Sequence, residues 1–406
     1  MAYIDTKKIK SDFPIFGNVP EGFAYLDNAA TSQTPCFVID ALTEYYTKHR
    51  ANIHRGSYAL AEEATARYEE ARERIALFIG AEKEEIVVSG GATLASNMLI
   101  LMLEAAHTYR AGEEIVTTVS EHHSLLVPLQ ELAERNGMVL RFAPLDKDGV
   151  VDEKAVVKLI TRKTRIVAMS MASNVTGAVM PYERAMRAAK EAGAIGILDG
   201  TAYIGHAPVD MTTCSADAMF FSGHKMCGPT GVGILYMKGS LMKRLRPVFF
   251  GGGIVEEVTK DGARCTDAPY KFEAGTQPIA QIIGLGKAAE YLSGIGLEAI
   301  SAHVRELVDY ARTELESIPG VTLYAAPAEK NIGIVSFTVL GIHAHDIAHI
   351  AVEEGVALRA GHHCAEPLVR ELGVVATVRA SFYVYNTKED VDALVCAIKK
   401  AQRVFT

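Results

Sequence analysis

The sequence lacks an excess of positive charge and lacks any long apolar run. Its 406 residues carry 41 lysines and arginines against 49 aspartates and glutamates, a net charge of -8. A nucleic-acid backbone attracts basic surfaces, so this balance argues against a nucleic-acid partner. No stretch approaches the length of a membrane-spanning helix, so no membrane partner is expected.

The start of the chain also lacks the features of a secretory signal. Met1 to Lys10 contains Asp5 and three lysines where such a signal needs unbroken apolar residues. We therefore expect a cytoplasmic protein.

The cysteines lack the spacing of a disulfide framework or a zinc site. Six cysteines are dispersed along the chain and none forms a CxxC pair. His345 and His349 lie at i and i+4 on a predicted helix, but the glutamate of the zinc-protease motif and a third ligand are missing. We interpret that pair as a solvated helix face, and no metal site is predicted.

The composition is that of a protein with a large core. Hydrophobic residues make up 49% and charged residues 22%, which at this length favours two domains. Apolar residues recur at helical spacing over 61–78 and 125–136, and short apolar runs at 86–88, 115–117 and 165–169 are typical of buried strands. Strands that alternate with helices predict a parallel sheet covered on both faces.

The second half of the chain has a different pattern. Residues 251–274 are rich in glycine and charge, and we interpret them as a long loop leading toward a second domain. The predicted division is a large domain over 1–268 and a small α+β domain over 269–406, with the residues up to about 20 packing on the small domain. Its predicted helices lie near 278–293, 298–317 and 388–404, and its predicted strands at 332–339 and 356–359.

Polar groups follow each predicted strand of the first half. Ligands of open α/β sheets bind beyond the carboxyl ends of the strands, so these groups are expected at one rim. The stretch Gly90-Gly91-Ala92-Thr93 opens a helix and suits a phosphate, because backbone amides and the positive helix end point the same way. The other strand ends contribute Glu121, His122, Asn174, Asp199, Ser222, His224 and Lys225.

Lys225 and Asp199 are the two residues that a pyridoxal phosphate enzyme needs. The lysine supplies an amine for the cofactor aldehyde, and the aspartate keeps the pyridine nitrogen protonated. Taken singly, such residues are more often turn formers or solvated surface groups. Together with a phosphate cradle and an aromatic side chain, they predict a pyridoxal phosphate site.

Longer motifs show a resemblance to one family. The chain resembles the Suf-type cysteine desulfurases of the class V aminotransferase superfamily nearly from end to end. The motifs that carry the resemblance are YLDNAATSQTP (25–35), NIHRGSY (52–58), SEHHS (120–124), SNVTG (173–177), FSGHKMCGPTGVGILY (221–236), FEAGT (272–276), RAGHHCAEPL (359–368) and VRASFYVYNT (378–387).

The resemblance implies a fold and a cofactor site. The fold is the fold type I architecture, with a large doubly wound, mainly parallel sheet domain and a smaller α+β C-terminal domain that carries the cysteine loop. Lys225 would bond the cofactor and move the substrate's α-proton, Asp199 would pair with the pyridine nitrogen and His122 would stack on the ring. The phosphate contacts would be Ala92, Thr93, Ser222 and His224, with Thr276 reaching across from the second subunit of a homodimer.

The resemblance also implies a substrate and a reaction. Arg379 would anchor the carboxylate of L-cysteine with help from Asn174 and Arg359, and Asn28 and His54 would line the same pocket. Cys364 would take the substrate sulfur as a persulfide, leaving L-alanine, and donate it to an acceptor protein of iron–sulfur cluster assembly. For Cys364 the alternative is a buried structural cysteine.

The chain departs from the family at two positions. Ala202 stands where Suf-type members carry a glutamine that bonds the cofactor's phenolic oxygen, and Leu94 stands where a glutamate is usual. Two alternative functions therefore stay open. One is a selenocysteine lyase or another class V pyridoxal phosphate enzyme, and the other is a catalytically weak partner subunit.

Overall fold

The computed structural model describes residues 4–146 and 149–405. The helices are α1 (Thr6–Ser11), α2 (Cys36–Glu44), α3 (Ala59–Phe78), α4 (Ala92–Ala106), α5 (His123–Asn136), α6 (Glu153–Leu159), α7 (Tyr182–Ala192), α8 (Gly239–Met242), α9 (Ile279–Ile295), α10 (Leu297–Glu316), α11 (Ala344–Glu353), α12 (Glu366–Glu371) and α13 (Lys388–Phe405). The strands are β1 (Ala24–Tyr25), β2 (Ile86–Ser89), β3 (Glu114–Thr118), β4 (Val139–Ala143), β5 (Thr164–Ser170), β6 (Ile195–Asp199), β7 (Ala218–Ser222), β8 (Gly233–Met237), β9 (Val255–Val258), β10 (Ala263–Cys265), β11 (Val321–Tyr324), β12 (Ile334–Val339), β13 (Val356–Ala357), β14 (Arg359–Gly361) and β15 (Thr377–Ser381).

A seven-stranded sheet forms the larger part of the protein. Its strand order is β2-β8-β7-β6-β5-β3-β4. β8 is antiparallel to both of its neighbours, and the pairs from β7 to β4 are parallel. The predicted α/β class with a mainly parallel sheet is therefore confirmed.

Apolar side chains at alternate positions of the strands lie on opposite faces of this sheet, and both faces are buried. Phe220 packs into the cluster with residues of α4 and α5, and Phe221 packs into the cluster with residues of α2, α3, α7 and α9. A Cβ placed on Gly286 of α9 would lie 2.8 Å from the Cα of Ala71 on α3. Only glycine permits this approach, so the two helices pack closely over the sheet.

A second, antiparallel sheet lies in the C-terminal part. Its order is β11-β12-β15-β14, and α10, α11 and α13 contribute to its core. β1 pairs in parallel with β13, and Ala24 and Leu26 enter the same core. The predicted small α+β unit therefore also receives a segment from the start of the chain.

Two details concern the predicted division. α9 packs on α2 and α3 in the large cluster, and Phe13 contacts both Tyr291 of α9 and Tyr385. The domain boundary at residue 268 stays a prediction. The packing of α9 on α2 and α3 favours a boundary after residue 295.

The interpretation of 251–274 as a long loop is wrong in part. β9 and β10 form an antiparallel hairpin there. The sequence pattern conceals it because the hairpin is largely exposed and carries charged side chains, so it has no apolar alternation.

Across residues 4–146 and 149–405, every helix is too short or too polar to cross a membrane.

Candidate active site

A cavity of about 300 Å³ opens where the carboxyl ends of the large sheet meet β14, β15 and the loop between them. Eleven of the residues predicted for the site lie in its wall. They are Ala92, Thr93, His122, Asn174, Asp199, Ser222, His224, Lys225, Arg359, Cys364 and Arg379. The structure thus brings these residues together, and their individual chemical roles stay predictions.

Lys225 follows β7 in a single 3₁₀ turn that places its side chain in the cavity. Burial, followed by the nearby Arg379 charge, lowers the pKa of Lys225 to about 8, although Asp199 and Cys364 act in the opposite direction. An amine with this pKa is partly neutral near pH 7, so it can act as a nucleophile or a base.

Asp199 ends β6 and is 4% exposed. Its Oδ1 accepts the backbone N–H of Thr201 at 2.8 Å. Burial raises the pKa of the Asp199 carboxyl, and the Lys225 charge opposes that rise. A further cation beside this carboxylate would stabilise its charged form.

His122 is the residue that caps the N-terminus of α5. Its Nδ1 accepts the backbone N–H of Ser124 at 3.1 Å and lies 2.7 Å from the Ser124 hydroxyl. Burial lowers the pKa of His122 to about 4, with a contribution from Lys225. The imidazole is therefore neutral near pH 7 and is fixed at the cavity wall.

The N-terminus of α4 forms the predicted anion cradle. Gly91 precedes it with φ at 135°, a conformation that a side chain would strain, and the Ala92 backbone N–H donates to the Ser222 hydroxyl at 2.7 Å. Burial lowers the pKa of the adjacent His224 to about 4. The cradle therefore offers helix-end amides, a hydroxyl and a neutral imidazole.

The two predicted carboxylate anchors share one acidic partner, Asp27. Arg359 donates to Asp27 from Nε and Nη2 at 3.0 to 3.2 Å, and Arg379 donates from Nη2 at 3.3 Å. Burial lowers the pKa of Arg379 to about 10, while Asp27 favours its charged form.

Arg379 keeps one donor unused. Its Nη1 donates to the carbonyl of Asn174 at 2.9 Å, and its Nε is buried without a partner among the described residues. Since Arg379 lines the cavity, this donor is available to an anion placed there.

Sequence reasoning missed Asp27. The signal was present, because Asp27 is the one acidic residue in the YLDNAATSQTP motif. Its partner Arg359 lies 332 positions away, and no local pattern predicts such a pairing.

Cys364 lies in a tightly turned loop between β14 and α12. Both His363 and Cys364 adopt positive φ, at 54° and 57°, which is uncommon for residues with side chains. The loop is held by Asn174, whose Nδ2 donates to the His363 carbonyl at 2.6 Å, and by Thr377, whose hydroxyl lies 2.9 Å from His363 Nε2. Cys364 itself is exposed, so the alternative of a buried structural cysteine is wrong.

Glu121 supports the site from behind. Its carboxylate is fully buried and accepts the Thr118 hydroxyl at 2.6 Å and both the amide and the hydroxyl of Ser170 at 2.7 Å. Burial raises the pKa of Glu121 to about 7. This carboxylate joins the ends of β3 and β5, so it fixes Ser170 in the cavity wall next to His122.

Three predicted residues lie outside this cavity within one chain. Asn28 donates to the Ser381 carbonyl and to Asn386 and accepts the Tyr385 hydroxyl, so its side chain is engaged by protein groups. His54 and Thr276 together line a second cavity. The roles predicted for these three residues stay predictions.

The two positions that depart from the family are in different surroundings. Ala202 lies in the cavity wall beside Thr201, whose hydroxyl is buried and has no partner among the described residues. Leu94 is 44% exposed in the first turn of α4. A methyl group therefore stands at the wall where the family carries an amide.

Comparisons with known proteins agree with this geometry. Residues 24–394 match the aminotransferase class-V family. The chain is 44% identical to a probable cysteine desulfurase of Staphylococcus epidermidis over 99% of its own length and 98% of the relative's.

Two solved structures are similar over almost the whole chain. The apo cysteine desulfurase of Thermococcus onnurineus NA1 has a TM-score of 0.94 and 38% identity, with 100% of this chain and 99% of that chain covered. The cysteine desulfurase CsdA of Escherichia coli has a TM-score of 0.92 and 37% identity, with 100% of both chains covered. The chain therefore belongs to the aminotransferase class-V family.

Proposed function

We propose that the protein is a pyridoxal phosphate-dependent cysteine desulfurase that uses Cys364 as the sulfur acceptor. The reaction converts L-cysteine and the Cys364 thiol into L-alanine and a Cys364 persulfide. The observation that most supports this proposal is that the exposed Cys364, Lys225 and Arg379 line one cavity. The names of the full-length relatives support the same activity.

The residues of the cavity fit pyridoxal phosphate. Asp199 is buried, and burial raises the pKa of its carboxyl, so a protonated ring nitrogen placed beside it would stabilise the charged form. The α4 N-terminus has a glycine where a Cβ would lie 3.5 Å from the Ser222 hydroxyl, which suits a phosphate that approaches the backbone closely. Ala92, Thr93, Ser222 and His224 would hold the phosphate, and His122 would face the ring.

When bound, the cofactor supplies the electron sink that makes the substrate's α-hydrogen acidic and its carbon–sulfur bond breakable. Lys225 holds or releases one proton at Nζ, since its pKa of about 8 lies close to neutral pH. The neutral His122 contributes a flat surface without adding charge. The Thr201 N–H and then the Lys225 charge oppose the rise that burial causes in the pKa of the Asp199 carboxyl, so both favour its charged form.

Arg379 and Arg359 orient the substrate through its carboxylate. The buried Nε of Arg379 needs a partner, and a carboxylate that replaces water there would be held by a charge-assisted hydrogen bond. Asp27 and the Asn174 carbonyl hold the Arg379 plane, so the carboxylate would meet a fixed donor.

The Cys364 thiolate then attacks the sulfur of the bound substrate. A new sulfur–sulfur bond forms as the substrate's carbon–sulfur bond breaks, and the electron pair left on the substrate carbon is protonated to give L-alanine.

Oligomerisation and sulfur delivery complete the proposal. Thr276 lies outside the Lys225 cavity within one subunit, and the resemblance supports a homodimer in which it reaches the phosphate site of the second subunit. Resemblance to the Suf-type subgroup supports an acceptor protein of iron–sulfur cluster assembly as the recipient of the sulfur.

The experiment is the release of L-alanine and sulfide from L-cysteine with a reductant present. It compares the parent protein with Cys364→Ala and with Cys396→Ala, which removes an exposed cysteine on α13. We expect the parent and the Cys396 variant to form both products and the Cys364 variant to form neither. Equal activity of the Cys364 variant would refute the persulfide route and would direct the assay to selenocysteine.

A further inference from the structure

His123 contacts the Cys364 loop at two points, one at the cysteine and one two residues after it. Its backbone N–H donates to the Cys364 carbonyl at 2.8 Å. Its imidazole Nε2 accepts the backbone N–H of Glu366 at 3.2 Å. His123, at the start of α5, therefore holds both ends of the segment from Cys364 to Glu366.

These two bonds satisfy groups that would otherwise lack partners. His123 is the first residue of α5 and Glu366 is the first residue of α12, and the first N–H groups of a helix have no partner within it. The His123 N–H finds the Cys364 carbonyl, and the Glu366 N–H finds the His123 ring. The starts of α5 and α12 are thus joined through one histidine.

The loop needs such support. His363 and Cys364 are two consecutive residues in the left-handed region, a conformation that persists only where the surroundings hold it. The bonds from Asn174 and Thr377 hold His363, which precedes the thiol. The bond from Glu366 to His123 is the side-chain contact that follows it.

We propose that His123 is a positioning residue that holds the Cys364 loop against the start of α5 and so sets the reach of the thiol into the cavity. The residue before it, His122, lines the cavity on the cofactor side, so one peptide unit links the ring-facing histidine to the nucleophile loop. The proposal rests on the proposed function insofar as Cys364 is the nucleophile. His123 does not line that cavity, so it acts through Cys364.

The side chain of His123 has an acceptor that can be mimicked. Since Nε2 accepts an N–H, it carries no proton, and the proton of the neutral ring is on Nδ1. A glutamine places its amide oxygen at nearly the distance of Nε2 from the backbone, whereas an asparagine reaches only the distance of Nδ1. His123→Gln therefore retains the contact with Glu366, and His123→Asn and His123→Leu lose it. The backbone bond to Cys364 is present in all three variants.

The first test is amide hydrogen exchange of the holoenzyme, followed by mass spectrometry of a peptide covering 362–368. We expect exchange to be about two- to tenfold faster in His123→Leu and His123→Asn than in the parent, since one partly buried hydrogen bond is lost. His123→Gln should exchange at the parent rate. The control His349→Leu removes an exposed histidine of α11 and should also leave the rate unchanged. Unchanged exchange in the Leu and Asn variants, or equal acceleration in the Gln variant, would overturn the proposal.

The second test separates kcat from KM for L-alanine formation. Because the carboxylate anchors are untouched, His123→Leu should lower kcat about two- to tenfold with KM within about twofold, and His123→Gln should restore kcat. A normal kcat in a variant with faster exchange would overturn the link between the loop and sulfur transfer. If the parent forms no L-alanine, the proposed function fails. The exchange experiment still tests whether the contact of His123 with Glu366 holds the Cys364 loop.

Discussion

Arg379 donates from Nη2 to the carboxylate of Asp27 at 3.3 Å, although the two residues are 352 positions apart. Arg379 is 2% exposed, and Asp27 simultaneously accepts two bonds from the more exposed Arg359. One carboxylate thus positions both guanidinium groups at the cavity. The guanidinium groups of Arg359 and Arg379 carry like charges that repel each other, and the carboxylate of Asp27 offsets that repulsion.

Replacing Asp27 with asparagine should weaken substrate binding more than chemistry. The loss of the charge releases Arg359 from its bidentate contact and loosens Arg379. We expect KM for L-cysteine to rise roughly fivefold, about 1 kcal/mol, with a smaller change in kcat. Steady-state kinetics of L-alanine formation measures both values. Asp392→Asn, which changes a carboxylate on α13 bonded to Tyr310, is the matched control. A KM equal to that of the parent would show that Asp27 does not position the anchors.

The amine of Lys225 should titrate well below an ordinary lysine. Burial, with a contribution from Arg379, lowers its pKa to about 8, so its neutral, nucleophilic form increases as the pH rises through 8. The rate at which cofactor-free protein takes up pyridoxal phosphate, followed by the visible absorbance, should rise with a midpoint near that pH and then level off. A rate that keeps rising toward about pH 10 would indicate an ordinary lysine. Lys225→Ala should show no visible band.

The buried ion pair between Arg72 and Glu273 should be a major determinant of stability. Arg72 Nη1 and Nη2 donate to the two carboxylate oxygens at 2.8 and 2.9 Å, and the Val88 N–H donates to the same carboxylate at 2.7 Å. Glu273→Gln leaves the buried guanidinium with only the more exposed Glu69 as counter-charge, so we expect the free energy of unfolding to fall by about 3 kcal/mol. Urea unfolding measures the change.

The control for that variant is Glu290→Gln. Glu290 forms exposed ion pairs with Arg74 and Lys287, and such pairs contribute about 0–1 kcal/mol. Similar losses for the two variants would contradict the importance given to burial.

Glu121 should make the stability of the cofactor-free protein decrease with rising pH. Burial raises its pKa from 4.5 to about 7, so the folded state binds the proton more tightly than the unfolded state. The contribution of Glu121 to the free energy of unfolding is fully present below the pKa that Glu121 has in the unfolded chain. It is lost as the pH rises through 7. Urea unfolding at about pH 5 and about pH 8 should show the parent losing roughly 3 kcal/mol relative to Glu121→Gln. If the unfolding free energies of the parent and the variant differ by the same amount at both pH values, the raised pKa of Glu121 is contradicted.

The sequence predicted the part of the site that follows from strand ends. The residues after β2, β3, β5, β6 and β7 reach one cavity because parallel strands deliver their carboxyl ends to the same edge. Lys225, Asp199 and His122 could therefore be placed from local apolar runs alone. The class V aminotransferase family and the fold class, which the longer motifs predicted, are confirmed, and the Suf-type subgroup stays a prediction.

The contacts that the sequence did not predict join distant segments. Asp27 with Arg359, His123 with the Cys364 loop and Arg72 with Glu273 are each brought together by tertiary packing. The hairpin of β9 and β10 was missed for a different reason, since exposed charged strands lack the apolar alternation that marks a strand.

The most direct test of the account is to locate the sulfur after one turnover. The holoenzyme is incubated with L-cysteine without reductant, and mass spectrometry of its peptides is compared with the amount of L-alanine formed. The account predicts one added sulfur on the peptide that contains Cys364, in an amount equal to the L-alanine. L-alanine formation with no added sulfur on Cys364 would contradict it, because the sulfur would then leave without passing through this thiol.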